Sequence, residues 1–434
     1  MKRRMGFLVT VILVFALVSG TALAKTKIEW WTADGGEKTI CAWMDRVIEG
    51  FMKENPDIQV VRIDMQDEDL KIGLKSSMAA GMPPAFWRSW GGGVLKSYVD
   101  EGQVADLTPI IKKLGGKVPA GALSTSTWGG KNYGLPYTTW AGHIYINRDL
   151  FEKAGVKVPD AAKNETWTWD EFLDAIKKFK DHDIIPIAVG GKENWELSFY
   201  YMYLVDRIGG SELFAKTLNR APGFSFESQA FVEAGKRCQE LVSAGAFEKG
   251  FLGMGYSDAQ RYFFSGKAAM YLMGTWVIAD LRKQVPNFNL DIIRFPTVPG
   301  GKGDPTMVLG APQTVHCVSE KVKPEEKAAA MKLVEYLARD EVIYDFVKNV
   351  GDLIVFNVPL PEGAYDPVIQ KVIGQVGKAS HLQMAWDQYS PPQFAAAHLE
   401  GLAALFAGKI TPEEMAKRQE ATANELKAQG VLPM

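Results

Sequence analysis

Along this chain the spacing of apolar positions switches repeatedly between a strand-like and a helix-like period. Lys27 to Trp31 is a short β-rich stretch, and after Asp34-Gly35-Gly36 the apolar positions Ile40, Met44, Val47, Ile48, Phe51 and Met52 follow helical spacing. Asn55-Pro56 stops that helix, and Ile58 to Ile63 reads as the next strand. A helix over roughly Asp69 to Ala80 ends at Gly81-Met82-Pro83-Pro84, and a third strand, Ala85 to Trp90, is closed by Gly91-Gly92-Gly93.

The alternation restarts after Gly134-Leu135-Pro136-Tyr137, with a strand from Ala141 to Asn147. Thr168-Trp169-Asp170-Glu171 predicts a capping box, opening a helix with Phe172, Leu173, Ile176 and Phe179 on one face. Ile184 to Val189 and Ala268 to Met273 read as strands, and Trp195 to Ile208, Ser228 to Ala244, Asp258 to Phe264 and Trp276 to Val285 as helices. Asp291 to Phe295 and Val308 to Ser319 are strand-rich, Pro324 to Asn349 is helical, and Thr411-Pro412-Glu413-Glu414 caps a terminal helix. Strand and helix in alternation predict an α/β fold with helices covering mainly parallel sheets.

The first residues change the picture of where the chain acts. Lys2, Arg3 and Arg4 precede an apolar run from Met5 to Val18 and a small-residue stretch ending Ala22-Leu23-Ala24, the pattern of a secretory signal with an A-x-A cleavage site. The run is shorter than the roughly 20 residues that span a bilayer. Lys25, not Cys, follows the expected cut, so a signal peptide over residues 1–24 and a free periplasmic protein are expected rather than a lipoprotein.

Removal of that segment leaves 46 basic against 51 acidic residues, a balance that argues against a nucleic-acid partner. Cys41, Cys238 and Cys317 are scattered and odd in number, so free buried thiols are expected, and whether any pair is left open. About 410 remaining residues exceed what one core usually supports, yet no linker composition occurs. Two domains joined by several short crossings satisfy both observations.

No nucleophile elbow, zinc-protease helix, P-loop or dinucleotide fingerprint occurs, and the five histidines are too far apart to pair as ligands. No catalytic residue, metal site or cofactor is therefore assigned. The glycine clusters read as tight turns before anion cradles. What stands out is the placement of many of the 12 tryptophans at expected strand ends, helix starts and loops: Trp30, Trp31, Trp87, Trp90, Trp140, Trp195, Trp276 and Trp386. Those are the places where ligands of α/β domains bind. An indole suits the C–H face of a pyranose, and carboxylates, amides or guanidinium suit its hydroxyls. Asp34, Glu37, Arg88, Asn194, Glu196, Asp258 and Asp387 lie near these tryptophans in sequence, while Trp43, Trp167 and Trp169 read as core or helix-flank residues.

Several stretches resemble extracellular solute-binding proteins of the carbohydrate-uptake type, the group that includes maltose-binding protein. They are Gly134 to Tyr137, continuing through Ile144 to Gly155 with Thr168 to Phe172 downstream; Phe264 to Met270 with Gly274-Thr275-Trp276; Phe86-Trp87 with Trp90 to Gly93; and Pro296 to Gly303 before Gly310. The resemblance implies a two-lobed periplasmic-binding-protein-like fold with three hinge crossings, near Thr138 to Gly142, Asp291 to Phe295 and Gly351 to Val358. Lobe one would hold residues 25–139 and 294–355, and lobe two 140–293 and 356–434. It implies Trp276 as a stacking tryptophan, Tyr256 as a sugar contact, Trp87 and Trp90 as an aromatic loop of lobe one, Trp386-Asp387 as a further aromatic position, and Asp34 as a polar contact. Trp140, Trp195 and Asp258 complete the expected substrate-binding set. Ile146, Trp140 and Gly310-Ala311 depart from the common pattern, which bears on the substrate and not on the fold.

The implied activity is capture of a mono- or oligosaccharide, closure of the lobes, and docking of a monomer on ABC transporter permease subunits. Two alternatives keep the same residues: a secreted glycoside hydrolase, which needs only two carboxylates, and a same-fold receptor for an anion such as a sugar phosphate.

Overall fold

The computed structural model describes residues 25–160 and 165–432. The expected signal segment lies outside them. Among the described residues no helix is long and apolar enough to cross a membrane. Numbered along the chain, the strands are β1 (Thr26–Thr32), β2 (Ile58–Asp64), β3 (Phe86–Ser89), β4 (Thr127–Trp128), β5 (Lys131–Asn132), β6 (Leu135–Pro136), β7 (Thr139–Ala141), β8 (His143–Asn147), β9 (Ile185–Ala188), β10 (Ala268–Met273), β11 (Leu290–Ile293), β12 (Val308–Pro312), β13 (Val315–Val318) and β14 (Leu382–Gln383).

They build one five-stranded sheet in the order β2-β1-β3-β13-β6 and one four-stranded sheet in the order β11-β8-β10-β9. Helices cover both. The α/β class therefore stands, but the sheets are mixed rather than mainly parallel. β1 pairs in parallel with β2 and β3 and β9 with β10, whereas β13 runs antiparallel to β3 and β6, and β8 antiparallel to β10 and β11. The antiparallel members, β6, β8 and β13, flank the places where the chain passes from one sheet to the other, so their direction follows from that exchange and not from local pattern.

Each sheet has its own core. Ile28, Trp30, Trp43, Val47, Phe51, Phe86, Leu333 and Phe346 pack on one face of the first sheet, and Leu70, Leu74, Trp87, Trp90 and Cys317 on the other. Around the second sheet a larger core runs from Trp140 to Val298, takes in Met307, Val308 and Leu309, and resumes from Leu353 to Leu432.

Three segments cross between the cores side by side. β7 pairs antiparallel with β12 through Trp140↔Ala311 and Thr139↔Pro312, and the Thr139 N–H donates to the carbonyl of Leu353 at 2.9 Å. The first of these segments includes Thr139 to Ala141 and the third includes Leu353. Asp291 to Ile293 are inside β11, and Phe295 and Val298 pack in the larger core. After β11 the chain is held there by pairing of Thr297 with Thr168, and by the Arg207 guanidinium, which donates to the carbonyls of Asp304, Pro305 and Met307. It leaves only between β12 and β13. The chain from Pro324 to Asn349 forms two helices, Pro324–Leu337 and Asp340–Asn349, instead of one.

Local signals hold well elsewhere. Thr168 and Thr411 each make the full capping box, with Glu171 and Glu414 accepting from the Thr N–H at 2.8 and 2.7 Å. Gly91-Gly92-Gly93 is a turn that becomes a helix start, because positive φ at Gly91 (73°) and Gly92 (59°) leads directly into the helix Gly92–Asp100.

Candidate functional site: a cavity between the two cores

A cavity of about 260 Å³ lies between the cores, floored by the crossing segments through Tyr137, Thr138, Trp140, Gln313 and Thr314. Asp34, Glu37, Trp43, Asp67, Arg88 and His316 line one side, and Glu193, Trp195, Tyr256, Trp276, Asp387 and Gln388 the other.

The aromatic wall is a set of rings in contact. Trp140 stacks on Phe199 with centroids 5.2 Å apart, and Trp276 lies 5.4 Å from Trp140 and 6.3 Å from Trp195. Trp195 in turn meets Tyr256 at 5.6 Å. These positions follow from the elements that carry them. Trp276 stands just before the helix Val277–Gln284, directly after β10, and Trp195 and Tyr256 open the helices Trp195–Gly209 and Tyr256–Phe264. Trp140 sits on β7, one of the crossing strands.

Charge is arranged unevenly. Among the described residues, the carboxyl groups of Asp34, Glu37, Asp67, Glu193, Asp352 and Asp387 line the cavity against the single guanidinium of Arg88. Register explains the Arg: on β3, buried on both faces, alternation sends Arg88 to the side of its partner His316 and Trp87 to the side of Cys317. The guanidinium donates to Asp34 at 2.9 Å and lies 3.8 Å from Asp67, and the Thr32 hydroxyl also donates to Asp34. Asp387 accepts from Lys71 at 3.3 Å. Burial opposes the Lys71 charge, but Asp387, Glu68 and Asp67 outweigh it and keep the ammonium protonated. Burial raises Asp67 above the ordinary carboxylate range, with Arg88 and Lys71 opposing, and pushes Asp352 up to about 7. Burial likewise holds the imidazole of His316 down at about 3, so it is neutral at pH 7.

The bacterial extracellular solute-binding protein model matches residues 35–343. The chain belongs to this family. It is 26% identical over 339 residues to the multiple sugar-binding protein of Streptococcus mutans, covering 72% of this chain and 71% of that one. It is 27% identical over 305 residues to a probable sugar-binding periplasmic protein of Mesorhizobium japonicum, covering 65% and 69%. A solved structure from work on xylan utilization by Caldanaerobius polysaccharolyticus superposes with a TM-score of 0.83 at 32% identity, over 91% of this chain and 99% of that one. A chitin oligosaccharide binding protein superposes with a TM-score of 0.85 at 24% identity, over 93% and 99%, and supports the fold.

Within this family member, the structure brings six of the expected site residues to one cavity: Asp34, Trp140, Trp195, Tyr256, Trp276 and Asp387. Four do not line it. Trp87 and Trp90 are 0% exposed and pack with Leu70 and Leu74 on the far face of the first sheet. Trp90 meets Lys71 and Arg88 over its ring, at 5.2 and 5.4 Å, and so lies beneath the lining Arg88 and the Lys71 that pairs with Asp387, instead of in the cavity. Trp386 is buried with its ring stacked on Phe214 at 3.7 Å, so of the Trp386-Asp387 pair only the carboxylate reaches the cavity. Asp258 faces outward, where it pairs with Arg261 and accepts from the Gly255 N–H that starts its helix. Conversely, Trp43 serves the core and also borders the cavity, because the apolar stripe of helix Lys38–Glu54 meets the cleft at its N-terminal end. Tyr137 could have been found from the Gly-Leu-Pro-Tyr stretch; Asp67, Glu193 and Asp352 carry no local signal.

Proposed function

We propose that the protein is an extracytoplasmic receptor that captures a short neutral carbohydrate between its two lobes and delivers it to an ABC transporter permease. The observation that carries this reading is that the aromatic wall of Trp140, Trp195, Tyr256 and Trp276 and the polar groups of Asp34, Glu37 and Arg88 line one cavity. Flat rings match the C–H faces of a pyranose, and the carboxylates and guanidinium match its hydroxyls. A cavity of about 260 Å³, at the small end of ligand pockets, suits a mono- or disaccharide better than a long chain.

Charge argues against an anionic ligand. One relative is the sn-glycerol-3-phosphate-binding periplasmic protein of Rhizobium meliloti, 24% identical over 304 residues. Here the single lining guanidinium is already engaged by Asp34, and a phosphate would meet the remaining carboxyls.

The core packing supports a division with lobe one at 25–139 and 310–355 and lobe two at 140–309 and 356–432, hinged at the three crossings. The protein acts as a monomer, released by cleavage after Ala24. Intact mass of the secreted protein checks the last point, since a lipid-modified or uncleaved product contradicts it.

Calorimetry and thermal shift against a panel of sugars and sugar phosphates, at low and high salt, test the main reading. The expected result is binding of a neutral sugar, recovered intact, with weak dependence on salt. Stabilisation by anionic ligands alone, or conversion of the sugar, would overturn it.

A further inference from the structure

Part of the polar lining of the cavity is already committed to bonds between the two cores. Thr39, in the first turn of helix Lys38–Glu54, donates from Oγ1 to Oδ1 of Asp280 at 2.7 Å, on a helix of the other core. Just before the same first turn, Glu37 accepts at Oε1 from the Tyr256 hydroxyl at 2.8 Å. That hydroxyl also accepts from Nε1 of Trp276 and Nε2 of Gln260, each at 3.1 Å, so its hydrogen-bonding capacity is used up within the protein. Glu37, Thr39, Gln260 and Asp280 are buried. None of these bonds requires a ligand.

We propose that Glu37, Thr39, Tyr256 and Asp280 form a clasp that closes the cleft of the ligand-free protein, with Glu37 protonated while the clasp is shut, so that closure weakens as pH rises. The two bonds bring the Glu37 and Asp280 carboxyls to the same seam, Asp280 through Thr39 and Glu37 through Tyr256, and ionised together the two would repel. Burial raises Glu37 well above the ordinary carboxylate range, the hydrogen bond and charge of Asp280 act the same way, and Asp34 adds to it, while the Tyr256 hydroxyl opposes.

The groups facing Glu37 on every side agree with this. The turn after β1 contributes Asp34, whose Arg88 partner on β3 is, among the described residues, the one Lys or Arg lining the cavity. Helix Tyr256–Phe264 contributes Tyr256, with Glu193 on its backbone N–H and the buried Glu196 within electrostatic reach; helix Val277–Gln284 contributes Asp280. On its own helix Lys38 is exposed to solvent. In an open cleft Glu37 faces water and ionises normally. Below its ordinary pKa closure is independent of pH; above it, closing takes up a proton, and the ratio of closed to open molecules falls by up to about tenfold per pH unit until the raised value is passed.

X-ray scattering of the ligand-free protein between pH 5 and pH 9 tests the clasp, independently of which ligand the cavity takes. A compact form of this size has a radius of gyration of about 22 Å, and opening adds on the order of 1 Å. Wild type is expected to be compact at pH 5 and to expand with rising pH. Glu37→Gln is expected to stay compact throughout, because the amide accepts from Tyr256 and carries no charge to repel Asp280. Thr39→Val, whose fold is checked by circular dichroism, is expected to be expanded already at pH 5. A wild-type radius that does not change with pH, a Glu37→Gln variant that expands as wild type does, or a Thr39→Val variant as compact as wild type at pH 5 overturns the proposal.

Discussion

Truncating Trp276 separates a ligand-facing indole from a core one, and the structure supplies its own control. Trp276 is half-buried on the cavity wall, touching Trp140 and Trp195, with its N–H on Tyr256. Replacing it by Ala removes one stacking face from a largely desolvated site, a change commonly worth about 2–4 kcal/mol, or roughly 30- to 1,000-fold in affinity. The space vacated opens into the cleft and fills with water, so no enclosed void forms and the melting temperature of the unliganded protein is expected to move by no more than about 2 °C. Trp386→Ala is the opposite case. Its ring is 0% exposed and stacked at 3.7 Å on Phe214. Loss of a core indole costs about 3–5 kcal/mol. With an unfolding entropy near 2.1 cal/mol/K per residue, that lowers the melting temperature of a chain this long by about 4–6 °C. Isothermal calorimetry with the best sugar from the panel and differential scanning calorimetry without it measure both quantities. Wild-type affinity in Trp276→Ala together with a large drop in melting temperature would refute the reasoning and return Trp276 to the core.

Three other substitutions extend the tests beyond the indoles. Glu248 is 5% exposed, and burial pushes its carboxyl up to about 7 from an ordinary 4.5. A raised folded value means that its contribution is complete below about 4.5 and is lost as pH rises through about 7. Glu248→Gln is therefore expected to gain about 2–3 kcal/mol over wild type at pH 8.5 and little at pH 5; equal melting-temperature changes at both pH values would contradict this. Gly92→Ala introduces a Cβ 2.6 Å from the carbonyl oxygen of Gln388, on a backbone with φ of 59°. Destabilisation of about 1–3 kcal/mol is expected, together with weaker ligand binding because Gln388 and Asp387 line the cavity. Gly81→Ala, where φ is 69° and nothing lies within 4 Å, shows the backbone strain alone, and an equal loss in both variants would remove the steric argument.

Local pattern by itself determined much of this protein. The strand from Lys27 to Trp31, the helix stripe from Ile40 to Met52 and the boxes at Thr168 and Thr411 are short-range effects of side-chain alternation and capping, and they are present as read. Trp195 and Trp276 could be placed because each stands at the start of a helix, and in an α/β fold such ends converge on one crevice. Trp87 and Trp90 fit the same rule but are buried, because β3 is a central strand covered on both faces, and sequence does not distinguish a central strand from an edge one. The anchoring of the chain after β11 was equally invisible: the carbonyls that Arg207 gathers lie some hundred residues away, at 97, 98 and 100 positions along the chain. The bond from Tyr256 to Glu37 spans 219 positions and that from Thr39 to Asp280 spans 241. Contacts of that separation leave no periodicity in the residues between them, so the partners of the cavity's carboxyls were decided only when the two cores came together.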